Sequence, residues 1–176
     1  MKREDLPLVT PEQFRKFKPC WLETEEGCAR FRRVAAQRPE WNALDVLDLE
    51  DVSARDKLWS VLREEFLPRM LLHEFSCRCA EWALSFVENP DPRSVEAIRV
   101  KRLWMTGDAT DEELRFAQTA AQSAAWAEAR AAEQAAEWSA EQAAEWSAAQ
   151  VAYSKAAHEQ EIDMLRTLID EWGVEA

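Results

Sequence analysis

The chain has 176 residues, 47% of them hydrophobic and 32% charged, a composition typical of globular rather than disordered proteins. Its 34 acidic residues outnumber 22 basic ones, and the net charge of −12 disfavours direct binding of nucleic acid. With three glycines and little alternation of β-branched residues, sheets are disfavoured. We predict an all-α, single-domain helical bundle of about six to seven helices.

No apolar run follows the first five residues, and none approaches the roughly eighteen residues of a transmembrane helix. We therefore expect a cytoplasmic protein without membrane contact. The first 38 residues are basic on balance, which would suit contact with an acidic partner, although a solvated helix face is the simpler interpretation. The basic residues concerned are Arg30, Arg32, Arg33 and Arg38.

Helix-start signals divide the N-terminal part, residues 1–66. Thr10-Pro11-Glu12-Gln13 predicts a capped short helix that ends near Pro19. Thr24 caps a helix through Gln37, one or two turns follow between residues 41 and 47, and Ser53 starts the next helix. The apolar side of that helix is predicted to comprise Leu58, Trp59, Leu62 and Phe66.

A pair of helices is predicted for residues 67–109. The first, from Pro68 to Asn89, is the most apolar of the chain, and Asp91 caps the second. Gly107 is placed as the C-terminal cap of the second helix. The expected core residues are Met70, Leu71, Leu72, Phe75, Cys79, Trp82, Leu84 and Phe86 in the first helix, and Val95, Ile98, Leu103 and Trp104 in the second.

Residues 110–172 contain no proline or glycine and are rich in alanine, which predicts a long helix opened by a Thr110–Glu113 capping box. Unbroken, it would extend about 90 Å. We therefore favour a break or bend, for which Ser139, Ser147 and Ser154 are the available caps. Its last turns carry a stripe expected to dock on the bundle, formed by Ile162, Leu165, Leu168, Ile169 and Trp172.

Alanine pairs recur eleven residues apart, at 120–125 and 131–136, and give this helix a face of small side chains. We interpret that face as gripped by neighbouring helices. Trp126, Trp138 and Trp146 are expected in the core, whereas a self-associating structural protein would place them in an interface between copies.

Catalytic chemistry is not indicated. Cys77 and Cys79 point about 200° apart on a helix and cannot hold one ion together, and His73 with Cys77 would need two further ligands. We expect reduced, buried thiols and no metal. No phosphate loop, HExxH motif or nucleophile elbow is present. We predict a protein that is not an enzyme and that needs no cofactor.

Four carboxylates stand at successive i,i+4 positions: Glu133, Glu137, Glu141 and Glu145. Each pair of like charges at i,i+4 destabilises a helix by about 0.2–0.5 kcal/mol. A row of four glutamates is therefore expected to serve a purpose that offsets this cost. It either keeps an alanine-rich helix solvated or presents an acidic surface to a nucleic-acid-binding protein. With Trp138 and Trp146, these glutamates are our candidate partner-binding residues.

Three motifs between residues 77 and 117, followed by the Ala/Trp-rich helix, resemble a group of small helical proteins of tailed phages and prophages that overlaps families of immunity proteins. The resemblance implies conflict between phage and host or between bacteria, in the host cytoplasm if the chain is phage-encoded, and it supplies no catalytic residues. The motifs are Cys77-x-Cys79-Ala80-Glu81-x-Ala83-Leu84, Asp91-Pro92-Arg93-Ser94-x-x-Ala97-Ile98 and Gly107-x-Ala109-Thr110-x-x-Glu113-Leu114-x-x-Ala117.

Three functional hypotheses follow. The leading one is a non-enzymatic binder that inhibits a host defence protein, such as a CRISPR effector or another nuclease. The second is an immunity protein that neutralises a toxin. The third is a structural protein that forms homo-oligomers, and sequestration of a small molecule in a Trp-lined pocket is a weaker fourth.

Overall fold

The computed structural model describes the backbone of residues 1–136 and 143–172, and the side chains of residues 1–125 and 155–172. Across those ranges it contains eight α-helices, no strand, and one isolated antiparallel bridge between Val9 and Trp41, which confirms the all-α prediction. Short 3-10 helices occupy Arg3–Asp5 and Cys20–Glu23. The α-helices are α1 (Pro11–Arg15), α2 (Glu25–Ala35), α3 (Ala43–Leu47), α4 (Ala54–Val61), α5 (Arg69–Leu84), α6 (Pro92–Thr106), α7 (Asp111–Ala136) and α8 (Ala143–Glu171).

The predicted helix starts are confirmed by their hydrogen bonds. Side-chain oxygens at the N-terminal caps accept backbone N–H groups that would otherwise lack a partner in the first turn. The confirmed caps are Thr10, Thr24, Ser53, Asp91 and Thr110. Gly107, predicted to end α6, has a φ of 84°, a left-handed conformation that glycine adopts without strain.

The alanine-rich segment forms α7 and α8 in its described parts. Ser147 and Ser154 lie inside α8, so our prediction that either caps a break is wrong: the helix continues through both positions. Ser139 lies in residues 137–142, outside the described residues. Within α7, Ala124 is buried but its neighbour Ala125 is exposed, so the small face is one alanine wide at this point.

The chain divides into two compact units. The first contains Met1–Leu72 and Leu165–Ala176. Its core includes Leu47, Phe66 and Leu71, together with the predicted stripe from the end of α8, in which Leu165, Leu168 and Ile169 are fully buried. The Met1 amino group donates to the Ile169 carbonyl oxygen at 2.5 Å, which ties the first residue to the last helix.

The second unit, His73–Met164, is organised by α6 and α7, which pack along each other. Only four residues join them, so the two helices are antiparallel neighbours. Val100, Leu114 and Ala117 form the buried cluster between them, with Ala97 and Trp104 packed against it. The predicted single domain, with parts at residues 1–66, 67–109 and 110–172, stays a prediction.

Several predicted core residues are exposed. Leu58 of α4 is buried, but Trp59 in the same helix is 40% exposed, and Leu62, which follows the end of α4 at Val61, is 38% exposed. The Trp59 ring instead packs against the Arg63 guanidinium at 4.4 Å. The buried Phe66 is presented by a turn and not by the helix.

In α5 and α6 as well, some of the residues that we predicted in the core are exposed. Val95 is exposed because it lies about 140° around α6 from Val100, which faces α7. Phe86 is exposed because α5 ends at Leu84 and a turn follows, whereas we predicted a helix to Asn89. Met70, in the first turn of α5, also faces solvent. In the described part of the chain, no helix has the length and hydropathy to cross a membrane.

Protonation of the α7 cap offers a test by pH. The Thr110 backbone N–H and hydroxyl both donate to the Glu113 carboxylate at 2.8 Å, and these bonds lower the pKa of Glu113. A carboxyl with a lowered folded-state pKa stabilises the fold above its unfolded-state pKa and loses that effect as the pH falls through the folded-state value. Glu113→Gln, which mimics the protonated form, should lower the thermal midpoint at neutral pH and match wild type in acid.

Glu112→Gln is the matched control, since Glu112 lies in the same turn without the Thr110 bonds. Thermal melts of both variants across the acid range make the comparison. A Glu113→Gln deficit of the same size in acid as at neutral pH would contradict the role of its charge.

Candidate functional site

A groove between α6 and α7 is the candidate site, with a volume of about 700 Å³. We call it the α6–α7 groove. Its apolar floor consists of Val100, Leu103, Ala109, Phe116, Ala117 and Ala120. Its charged rim consists of Arg93, Glu96, Arg99, Asp108, Glu112 and Glu113.

Phe116 is the most unusual floor residue because it is 78% exposed. Fully burying a phenylalanine side chain is worth about 1.5–3 kcal/mol, so leaving one in water forgoes that gain. Neighbouring residues of the same helix, Leu114 and Ala117, are buried against α6. An exposed aromatic side chain that lies beside a buried apolar stripe and is bordered by a charged rim is typical of a protein-binding surface.

Three of the rim's carboxylates cluster at the start of α7: Asp108, Glu112 and Glu113. All three are exposed, and no ion pair joins them to a lysine or arginine within the side chains described. Asp108 accepts from the Thr106 hydroxyl at 2.7 Å, and Glu113 accepts from Thr110. Their hydrogen bonds are therefore local, and their charge is directed to solvent.

The rim arginines, by contrast, are paired along their own helix. Arg93 donates to Asp91 through two nitrogens, at 3.0 and 2.7 Å, which lowers the pKa of Asp91 to about 2. Arg99 donates to Glu96 at 2.8 and 2.6 Å, and this pair lowers the pKa of Glu96 and raises that of Arg99. Each arginine is thus balanced by a carboxylate, and the net charge of the rim is negative.

The groove is held in shape from behind. Arg102 of α6 donates to Glu74 of α5 at 3.0 and 2.9 Å and also binds Glu81, and these hydrogen bonds raise the pKa of Arg102. The Trp104 indole N–H donates to Asp111 at 2.7 Å, linking the end of α6 to the start of α7. Because both contacts leave the floor uncovered, they position the groove without filling it.

The first unit has a smaller cavity of about 70 Å³, enclosed by aromatic side chains. Phe14 stacks on Phe31 with ring centroids 5.7 Å apart, and Trp21 and Phe66 complete the wall. Trp21 Nε1 is buried without a hydrogen-bond partner among the described residues. This volume is well below that of typical ligand sites, about 300–1,000 Å³, so we interpret it as a packing gap in the core.

Two of the N-terminal arginines that we considered for an acidic partner are engaged within this unit. Arg30 lies over the Trp21 ring at 5.5 Å and pairs with Asp56. Arg38 lies over the Trp41 ring at 4.9 Å and pairs with Asp45. These contacts give both residues a structural role.

The cysteines divide by burial. Cys77 is buried, as predicted, whereas Cys79 and Cys28 are half-buried and Cys20 is exposed. Burial raises the pKa of Cys77, and burial with the nearby Glu161 raises that of Cys79 to about 11. Such thiols are poor nucleophiles at neutral pH. The described residues include no group of three His, Cys, Asp or Glu side chains arranged to hold a metal ion.

The partner-binding residues predicted from the sequence fall largely outside this geometry. The side chains of Glu133, Glu145 and Trp146 are not among those described, although their backbones lie in α7 and α8. Glu137, Trp138 and Glu141 lie wholly outside the described residues. Their proposed role stays a prediction, as does the core or interface position of Trp126.

We did not predict Phe116, and the sequence contains a signal for it. On α7 it lies about 160° from the line through Leu114 and sits in a segment otherwise built of alanine and polar residues. A lone phenylalanine off the apolar stripe of a helix indicates a surface role. Comparison with known proteins finds no matching family, no similar curated protein and no similar solved structure.

Proposed function

We propose that this chain is a non-enzymatic protein-binding protein that inhibits a host defence protein, such as a CRISPR effector or another nuclease. The observation that carries the proposal is the α6–α7 groove, where the exposed Phe116 lies beside a rim of net negative charge. Apolar contact area supplies affinity, and complementary charge supplies specificity and a fast association rate.

The charge of the chain supports this class of target. Proteins that bind or cleave nucleic acid carry basic surfaces, because they neutralise phosphates with lysine and arginine. A chain of net charge −12 with an acidic groove rim is attracted to such surfaces. The resemblance of residues 77–117 to small phage and prophage proteins supports the setting of phage and host conflict.

The test is a phage-plating assay in strains that each carry one nuclease-based defence system. Expression of the chain should raise plating efficiency toward that of the same strain without its defence system. Phe116→Ala combined with Glu112→Lys should lose the effect, whereas Val95→Ala, an exposed change on α6 outside the groove, should retain it.

Unchanged restriction across a broad panel would end the proposal. If the chain instead rescues cells from one toxin, it belongs to the immunity class. Sedimentation across a concentration series addresses the structural alternative, because a strict monomer would exclude self-association through the Trp-rich helix.

A further inference from the structure

We infer that the α6–α7 groove binds a short amphipathic helix of the partner, with an apolar face flanked by lysine or arginine. This inference rests on the proposed binding function and specifies what the groove recognises. It follows from the groove's length, its openness to solvent and the distribution of charge around it.

The length of the groove suits about three helical turns. Its lining extends along α6 from Pro92 to Leu103, which at 1.5 Å per residue is about 17 Å. Apart from Phe116, the floor is built of small or aliphatic side chains, with Val100 and Ala117 buried at its base. A shallow trough between two helices accepts the apolar ridge of a third helix, with side chains at i, i+3 or i+4, and i+7.

Its openness argues against a small molecule. Ligand pockets bury about 70–90% of the ligand surface, which requires walls on several sides. Phe116, the largest side chain that lines the groove, is itself 78% exposed, so the groove does not enclose its contents. A macromolecular partner supplies the missing cover and buries the phenylalanine ring at the same time.

The charge of the rim specifies the flanks of the partner helix. Asp108, Glu112 and Glu113 line the groove as carboxylates without an ion pair among the described side chains, whereas Arg93 and Arg99 are paired with Asp91 and Glu96. Cations placed beside the apolar ridge would therefore meet the start of α7. A partner with an acidic flank would face repulsion there.

A second copy of this chain fits the groove less well. In a twofold interface the same patch meets itself, so one rim of net negative charge would face another. Each copy also has a net charge of −12. Repulsion between the two rims and between the net charges of the two copies favours a partner with basic residues over self-association.

The experiment is a selection from a display library of helical peptides of about twelve residues, a length that matches three turns. Full-length wild-type protein is the bait, and the Phe116→Ala variant is the counter-selection bait. Selected peptides are then synthesised, and their affinities are measured by fluorescence anisotropy at low and high salt. Val95→Ala is the control for an exposed change on the same helix pair.

We expect enriched peptides to combine an i, i+3 or i+4, i+7 apolar pattern with flanking lysine or arginine. Phe116→Ala should weaken their binding about 30-fold, as for a central hot-spot residue, and Val95→Ala should leave it unchanged. Glu112→Lys and raised salt should each weaken binding several-fold. Circular dichroism of the variants confirms that they are folded.

Three results would overturn the inference: no enriched peptide, enrichment of acidic peptides, or equal binding to the Phe116→Ala variant. A concentration-dependent dimer that Phe116→Ala dissociates would assign the groove to a second copy instead. The proposed function fails separately. If the chain blocks a defence system and Phe116→Ala retains that activity, the inhibitor stands and the groove is not its binding site.

Discussion

Replacing Gly27 with alanine should lower the free energy of unfolding by about 2 kcal/mol, although alanine is the better helix former. A Cβ atom at Gly27 would lie 1.8 Å from the Trp21 carbonyl oxygen and 2.7 Å from the carbonyl carbon. Backbone atoms cannot rotate away, so the 3-10 helix at Cys20–Glu23 must move. Such overpacking costs about 1–3 kcal/mol, and the gain in helix propensity of about 1 kcal/mol offsets only part of a clash at the upper end.

The displaced backbone carries the Trp21 ring, which packs against Phe14 and Phe31 with centroids 6.0 and 6.2 Å away. The substitution should therefore also reduce the near-ultraviolet circular dichroism signal of the aromatic cluster. Chemical denaturation measures the change in stability, and a shift in midpoint with an unchanged slope would attribute it to the folded state.

Gly107→Ala is the control that separates steric clash from backbone strain. Nothing lies within 4 Å of a Cβ at Gly107, but its φ of 84° is unfavourable for alanine. This variant should lose about 1 kcal/mol, the lower end for a residue forced into the left-handed region, without change in the aromatic signal. A Gly27→Ala variant as stable as wild type would refute the close approach of Trp21 to α2.

Local chemistry explains why the helix starts could be predicted. An N-terminal cap joins residues three positions apart. The pairs Thr10–Gln13 and Thr110–Glu113 can therefore be recognised in the sequence without knowledge of the fold. The role of Gly107 can be predicted for the same reason, because glycine is the residue that most readily adopts the left-handed conformation at the end of a helix.

Burial was harder to predict, because it depends on neighbours distant in sequence. Periodicity identifies the side of a helix that is apolar, but not how far the adjoining elements extend over it. Trp59 and Val95 have apolar side chains at helical spacing and are nevertheless 40% and 48% exposed. Phe116 is the opposite case: it lies off the apolar stripe of α7, is exposed, and lines the α6–α7 groove.

Asp45 makes both a local capping contact and contacts with residues distant in sequence. Its removal is expected to cause the largest loss in the free energy of unfolding. Asn42-x-x-Asp45 is a capping pattern that the sequence contains and we did not single out. The arginines that also bind Asp45 come from far along the chain: Arg3 at 2.9 Å and Arg38 at 2.5 Å. Sequence spacing gives no indication that these residues converge on one carboxylate.

Asp45→Ala should lower the free energy of unfolding by about 3 kcal/mol, because it removes the acceptor shared by three chain segments. The Asn42 backbone N–H donates to Asp45 at 3.1 Å in a buried environment, and leaving such a donor unpaired costs about 1–3 kcal/mol. Loss of the charge-assisted bonds from Arg3 and Arg38 adds to this cost, moderated because both arginines are about half exposed to water.

Asp48→Ala is the control for exposure, since Asp48 occupies the C-terminal cap position of the same helix and binds Arg3 at 2.6 Å and Arg166 at 2.8 Å. Its side chain is 44% exposed, against 6% for Asp45, so its removal should cost under about 1 kcal/mol. Chemical denaturation of both variants measures the difference. Equal losses would mean that burial does not set the worth of the Asp45 contacts, whereas a deficit confined to Asp45→Ala would identify this carboxylate as the junction that fixes Arg3, Arg38 and the start of α3 together.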